Sequence, residues 1–266
     1  MKNILDEIVA VKRTEVEYTK SFADLEWYKY FSVDFDRKCI SLKENLLKEN
    51  STGIIAEFKR KSPSKGWFKS ADYSAPAIVM CFEQYGAAGA SVLTDTEFFG
   101  GELPDITVCR AVTQLPVLRK DFIIDEIQLL EAKAYGADVV LLIAAILSPK
   151  RVEALAKAAK QLGLEVLLEL HGENELDHIC HEVDMVGINN RNLQTFEVDI
   201  KHSIKLSEKL PADKVKIAES GIDNVETIKI FRDAGFKGFL IGEKFMKEPD
   251  PGDAFKKFVK ELNTKQ

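Results

Sequence analysis

A closed (β/α)8 barrel with an N-terminal helical extension is the fold class this sequence predicts, and three observations predict it. From Gly53 onward, eight short apolar runs alternate with longer segments of helical periodicity. Each run is apolar throughout instead of alternating, as expected of a strand in a parallel sheet whose outer face is covered by helices. No G-x-G-x-x-G follows the first run, which weighs against the alternative, an open doubly wound nucleotide-binding sheet. A length of 266 residues suits a single barrel domain over residues 1–266, with residues 1–50 forming an extension packed on it.

The elements follow in order. Ile4, Leu5, Ile8 and Val9 form one helical stripe, and Leu42, Leu46 and Leu47 repeat it before "KENSTG". Between them, the aromatic-rich "FADLEWYKYFSVDF" reads as packing of the extension against the main body. Strands are predicted at Ile54–Lys59, Ala90–Thr94, Pro116–Arg119, Asp138–Ile143, Glu165–Leu170, Met185–Asn189, Val215–Glu219 and Gly238–Ile241. The gaps read as helices: "APAIVMCFEQYG", "DITVCRAVTQ", "DEIQLLEAKAYG", "SPKRVEALAKAAKQLG", "ENELDHICHEV", "IKHSIKLSEKL", "NVETIKIFRDAG" and "GDAFKKFVKEL". Gly86, Gly136, Gly163 and Gly235 stand just past a last helical turn, where glycine stops helices.

Composition narrows the function. Hydrophobic residues at 45% allow a sizeable core, and a net charge of −6 argues against nucleic acid, though a local basic cluster can hold a small anion. The four cysteines (Cys39, Cys81, Cys109, Cys180) are scattered and read as free thiols in a reducing compartment. The opening "MKNILDEIVAVKR" has Asp6 and Glu7 where a signal peptide needs an apolar core, and the longest apolar run, Val139 to Leu147, is too short to span a bilayer. The expectation is a cytoplasmic protein with no membrane partner, and the charged surface and helical extension fit a monomer.

In such a barrel the functional face lies at the C-terminal ends of the strands. Those positions hold Glu57 and Lys59 at the end of the first strand, Lys120 at the end of the third and Glu169 at the end of the fifth. The sixth contributes Asn189 and Arg191, the seventh Glu219 and Ser220. Period-two geometry puts Glu57 and Lys59 on one side of their strand, toward the barrel mouth. Buried charges are costly unless paired or used, so this convergence predicts a shared cavity. The turns "ESGI" and "LIGEK" after the seventh and eighth strands are where glycine lets main-chain N–H groups approach a phosphate.

Together these segments closely resemble indole-3-glycerol-phosphate synthase of tryptophan biosynthesis. The matching stretches are "EFKRKSPSKG", "SVLTD", "RKDFIID", "GINNRNL", "AESGI" and "GFLIG", in the family's order across residues 50 to 245. The resemblance implies closure of 1-(2-carboxyphenylamino)-1-deoxyribulose 5-phosphate to the indole ring with loss of carbon dioxide and water, without metal or organic cofactor. It implies Lys120 as general acid, its pKa lowered by burial and by Lys59. Lys59 would hold the departing carboxylate, and either lysine would assist the dehydration; Glu169 would be the base for that step, and Asn189 would orient the closing intermediate. Glu57 and Glu219 would anchor lysines and hydroxyls. Pro63, Phe99, Phe122, Leu142 and Leu193 match the aryl-pocket positions. Ser62, Ser220, Gly221 and Gly242 match the phosphate contacts, with Arg191 nearby, and the loop from Arg60 to Lys69 would close over the substrate.

Three positions depart from the family pattern: Glu243 in place of Ser or Thr beside the phosphate, Asn192 in place of Asp, and Glu102 in place of Ser. A carboxylate at 243 repels a phosphate unless it turns outward. Two rivals remain open. A lysine at a strand end also suits a Schiff-base aldolase, and a non-catalytic phospholigand-binding protein would keep the same pocket. "HGENELDHICH" resembles a metal cluster only superficially, since His178 and His181 alone share a helical face.

Overall fold

The computed structural model describes residues 4–191 and 197–264. Eight parallel strands close into a barrel: β1 (Ile54–Phe58), β2 (Gly89–Leu93), β3 (Val117–Lys120), β4 (Val139–Ile143), β5 (Glu165–Leu170), β6 (Met185–Asn189), β7 (Val215–Glu219) and β8 (Gly238–Ile241). Each pairs with its neighbours in sequence, and β8 closes on β1 through Ile54↔Phe239. Every expected strand is present to within one residue at either end.

Alternate residues separate two apolar cores, because successive strand side chains point to opposite faces. Outward-facing Phe58, Val92, Val117, Val140, Leu142 and Val166 pack against the helices, meeting Phe82, Leu155, Ile228, Phe231 and Phe255. Inward-facing Ile55, Leu118, Val139, Leu141, Ile143, Leu167, Met185, Ile217 and Leu240 fill the cylinder.

The segment between β5 and β6 departs from its helical expectation, forming a 3-10 turn over Glu173–His178. The His178 ring explains the early stop. Its Nδ1 lies 3.1 Å from the Glu175 carbonyl, the acceptor that an α-helix would offer to the Ile179 N–H. That N–H bonds to Leu176 O instead, at 3.2 Å. A short antiparallel pair, Lys61–Ser62 with Gly66–Trp67, stiffens the loop after β1 and has no counterpart in the sequence reading.

The N-terminal helices meet both ends of the barrel. Leu42 and Leu46, on the helix Leu42–Leu47, close the lower end. Its first turn is capped by Glu165 from β5, which accepts from Leu42 N at 2.8 Å and Lys43 N at 3.1 Å and also bonds the Ser41 hydroxyl. The helix Ile4–Lys20 crosses the upper end, where Leu5 and Ile8 join the interior cluster. It is fastened by Lys12, whose Nζ lies 3.0 Å from Asp95 and 3.1 Å from Asp121, just beyond β2 and β3.

Candidate active site

Strand register sets the height of the polar groups. Leu93 pairs with Lys120, Ile143 with Glu169, and Asn189 with Glu219, so residues distant in sequence reach one level at the C-terminal rim. They surround a cavity of about 390 Å³. Glu57, Lys59, Lys120, Glu169, Asn189, Glu219 and Ser220 all line it, as do Ser62, Pro63, Phe99, Phe122, Arg191, Gly221 and Gly242.

Lys120 is at the centre of the charge network. Its Nζ lies 3.0 Å from Glu169 Oε2 and 2.8 Å from Glu219 Oε2. Lys59 Nζ makes a separate pair with Glu57 Oε1 at 2.8 Å. Asn189 Nδ2 donates to Glu169 Oε1 at 3.0 Å, and His171 Nε2 lies 3.2 Å from the same oxygen. The two carboxylates on Lys120 therefore have different surroundings. Glu169 faces three donors or cations, whereas Glu219 Oε1 is buried without a hydrogen-bond partner among the described residues.

Their proton affinities differ accordingly. Burial raises the Glu169 carboxyl, but Lys120, His171 and Asn189 outweigh it and hold it well below the usual range. Burial also raises Glu219, and Lys120 alone offsets it only partly against the Glu169 and Glu57 charges, leaving Glu219 at about 7. Lys120 corrects an expectation. Burial does disfavour its ammonium, but Glu169, Glu219 and Glu57 overcome that cost and raise its pKa above that of a free lysine. Lys59, paired with Glu57, is not among the groups that dominate this balance.

One wall is apolar. Phe99 and Phe122 face each other with centroids 5.9 Å apart, beside Pro63, Leu93, Ile143 and Leu240. Leu142 does not belong to this wall. It is fully buried in the outer core, and its β4 neighbours Leu141 and Ile143 line the cavity. Leu193 and Asn192 lie outside the described residues. The sequence alone assigns no site role to Ile4, Leu5, Ile8 or His171, all of which line the cavity. Two signals pointed to them: Leu5 and Ile8 lie on the buried stripe of the first helix, and His171 follows Glu169 by two residues.

The opposite end is polar. Ser62 Oγ and Arg191 Nε are buried, with no hydrogen-bond partner among the described residues. Ser220 has a φ of 67°, a conformation uncommon outside glycine and characteristic of functional turns. Asn190 Nδ2 secures that turn by donating to Ser220 O at 2.7 Å. Gly242 is required for space, because a Cβ there would lie 2.5 Å from Glu57 Oε1. Glu243 has not turned wholly outward: its Oε2 is 3.6 Å from Arg191 Nη2 at the cavity edge.

The loop after β1 is rooted by Arg60, which bonds Asp105 at 2.5 and 2.8 Å and the Gly100 carbonyl at 3.2 Å. The described residues hold no group of three potential metal ligands, and none of their helices is long and apolar enough to cross a membrane.

Comparison with known proteins agrees with this geometry. Two solved structures share the fold. A chain of the tryptophan synthase α2β2 complex of Pyrococcus furiosus matches with a TM-score of 0.61 at 14% identity, covering 80% of this chain and 98% of that one. Orotidine 5'-phosphate decarboxylase of Pyrococcus horikoshii matches with a TM-score of 0.59 at 13% identity, covering 79% and 99%. At such identities the likeness shows the TIM barrel alone.

Sequence relatives are far nearer. The indole-3-glycerol phosphate synthase of Bacteroides thetaiotaomicron is 49% identical over 262 residues, 98% of this chain and 100% of that protein. The enzyme of the same name from Chromobacterium violaceum is 40% identical over 260 residues, 96% and 97% of the two chains. The family model for indole-3-glycerol phosphate synthase matches residues 5–261, nearly the whole barrel and most of its extension. With the expected acidic and basic residues gathered around one cavity, this chain belongs to the indole-3-glycerol phosphate synthase family.

Proposed function

We propose that this cavity carries out the family's ring closure with Lys120 as general acid, Lys59 as carboxylate holder and Glu169 as base. The substrate is 1-(2-carboxyphenylamino)-1-deoxyribulose 5-phosphate, and the product is indole-3-glycerol phosphate. The aryl carbon bearing the carboxylate attacks the ketone carbon, and the ketone oxygen takes a proton from the Lys120 ammonium. Loss of carbon dioxide returns the bonding electrons to the ring. The hydroxyl leaves as water by taking a proton from the Lys59 ammonium, and loss of a ring-side proton to Glu169 completes the pyrrole.

The single observation that carries this reading is the placement of Lys120 between Glu169 and Glu219, beside an aromatic wall. The surrounding carboxyl groups, Glu169 foremost, keep the lysine protonated at neutral pH, as a proton donor must be. A developing alkoxide is a far stronger base than an amine, so the transfer runs downhill even from a raised pKa. Lys59, paired with Glu57 at the rim, would exchange that partner for the substrate carboxylate. Asn189 fixes Glu169 on one side and would orient the closing intermediate. The tilted pair of Phe99 and Phe122 would press the aryl group toward the sugar chain. Ser62, Ser220, Gly221, Gly242 and Arg191 would receive the phosphate, whose charge would compete with Glu243 for Arg191.

We also infer that the protein acts in the cytoplasm as a monomer, a reading supported by its four free cysteines and charged surface. The test of function is direct. Purified protein mixed with the carboxyphenylamino-ribulose phosphate, with no metal added, is expected to generate indole fluorescence. Lys120→Ala should lower turnover by roughly 10²–10⁴-fold, the usual share of one general acid, with an unchanged circular dichroism spectrum. Normal turnover by that variant would overturn the role given to Lys120. Trapping of a covalent adduct by borohydride would favour the aldolase chemistry instead.

A further inference from the structure

We propose that His171 is a positioning residue for the ring closure: its imidazolium, set between Glu169 and Glu175, holds Glu169 oriented and ionised as the proton acceptor. The inference rests on the reading of Glu169 as the base.

The geometry is specific. His171 follows β5 two residues after Glu169, so its side chain falls on the same face, toward the cavity. Its Nε2 lies 3.2 Å from Glu169 Oε1, and its Nδ1 lies 3.7 Å from Glu175 Oε2. The Glu175 carboxylate is itself fixed from below, accepting from the His171 backbone N–H at 2.6 Å. Both ring nitrogens are shielded from solvent and neither makes a hydrogen bond among the described residues, so the ring is tied to the carboxylates by charge.

A neutral imidazole in this position would leave one nitrogen lone pair facing a carboxylate, which is repulsive. An imidazolium presents N–H to both sides. Among the described residues, the other groups bearing on this cluster are few. Lys120 from β3 and Asn189 from β6 both reach Glu169. From the helix Ile200–Ser207, His202 Nε2 lies 3.3 Å from the His171 carbonyl. Among the described residues, no cation other than His171 and Lys120 contacts Glu169. Its raised proton affinity, to about 10, agrees with a ring that stays charged through neutral pH.

The consequence concerns which proton Glu169 accepts. A base that arrives at the reaction already protonated is useless. Lys120 alone does not settle this, because it is shared with Glu219. His171 faces Glu169 and does not touch Glu219, so it biases the pair: the proton that two neighbouring carboxylates share goes to Glu219.

The test is the pH profile of kcat and KM for the parent, His171→Asn, Glu175→Gln and Glu169→Gln. His171→Asn is expected to move the acidic limb of kcat upward by about one unit, a tenfold loss at pH values on that limb. Activity should return toward the parent value near pH 9, where Glu169 is ionised in both proteins, and KM should shift less than about twofold. Glu175→Gln, which weakens the hold on the ring without removing it, should move the limb the same way by less. It carries the test if His171→Asn fails to fold. Nitrogen NMR should show both His171 ring nitrogens protonated at pH 8.

A uniform fall in kcat at every pH, with the limb unmoved, would overturn the proposal and leave His171 as packing. So would a neutral ring at pH 8. If Glu169→Gln turned over like the parent, the base assignment itself would fall and take this inference with it. An inactive Glu169→Gln beside an unmoved limb in His171→Asn would remove the inference alone.

Discussion

Gly187, in the middle of β6, leaves the space that the carboxylate of Glu219 occupies on β7: a Cβ at 187 would lie 2.0 Å from Glu219 Oε1. The glycine is part of an otherwise apolar strand, and its backbone conformation is one that other residues adopt. Its reason is therefore the neighbour, not the turn. The atom it spares is the far end of a flexible side chain, which can swing away at small cost. Gly187→Ala should then leave the thermal midpoint within a few degrees of the parent, since alanine suits a strand no worse than glycine. The displaced carboxylate would no longer reach Lys120 at 2.8 Å. Misplacement of a catalytic group by about 1 Å can cost on the order of 10²-fold, and kcat should fall on that scale with the fold intact. Full activity together with full stability would mean that the Glu219 contact to Lys120 is dispensable.

The same carboxylate gives the protein a particular pH dependence. Glu219 stays protonated in the fold up to about 7, above the ordinary value of 4.5. Between those two pH values the folded state binds more protons than the unfolded chain, so Glu219 makes stability fall as pH rises. The penalty is absent below 4.5 and complete above about 7. His171 acts in a higher window, since its contribution is fully present below 6.5 and is lost as pH rises through about 10. Urea midpoints of the parent and Glu219→Gln, compared from pH 4.5 to 6.5, isolate the first effect. The difference should shift in favour of the variant as pH rises. A difference that stays flat across this window would mean that Glu219 ionises normally.

On β4 the two faces can be told apart by experiment. Leu142 is buried between sheet and helices, while Ile143 lines the cavity at the height of Glu169. Leu142→Ala should cost about 2–5 kcal/mol of stability, as large-to-small core changes do, and leave KM unchanged. Ile143→Ala should also destabilise but should raise KM as well, because it opens the apolar wall. Equal KM effects in the two variants would contradict the assigned faces.

This strand also shows where the sequence stops being informative. Val139–Ile143 is apolar on both faces, so alternation cannot say which residues point inward, and Leu142 was placed by resemblance on the wrong side. Glu57 and Lys59 posed no such difficulty, since charge at a strand end has one sensible destination. Turn glycines and apolar runs located every barrel strand because each is governed by local chemistry. The His178 ring that stops the helix after β5 at the Glu175 carbonyl is also held by a contact to Leu147 O at 2.9 Å, which no local pattern encodes. The raised proton affinity of Lys120 depended on three carboxylates brought together only by closure of the barrel. Lys12 is an intermediate case. It follows Leu5 and Ile8 on the buried stripe of its helix and precedes Val16, so its burial was readable and its partners were not.

Lys12 joins the extension to the catalytic rim, and its removal should be costly. The side chain is 3% exposed and contacts Asp95 and Asp121, both buried, the second adjacent in sequence to Lys120. Asp121 keeps Arg119 as a partner at 3.0 Å, whereas among the described residues Asp95 Oδ2 has no partner but Lys12. Breaking a buried pair on one side leaves an uncompensated charge and typically costs about 3–5 kcal/mol. Lys12→Met should lose stability on that scale in urea unfolding. The double variant Lys12→Met with Asp95→Asn should recover part of the loss, because the stranded charge is then gone even though a contact is missing. If the second substitution added its own cost in full, the two residues would be acting independently, and the bond between extension and rim would lie elsewhere. Recovery of stability without recovery of KM would show that the lysine also keeps Ile4, Leu5 and Ile8 seated over the substrate, a role that charge neutrality alone does not restore.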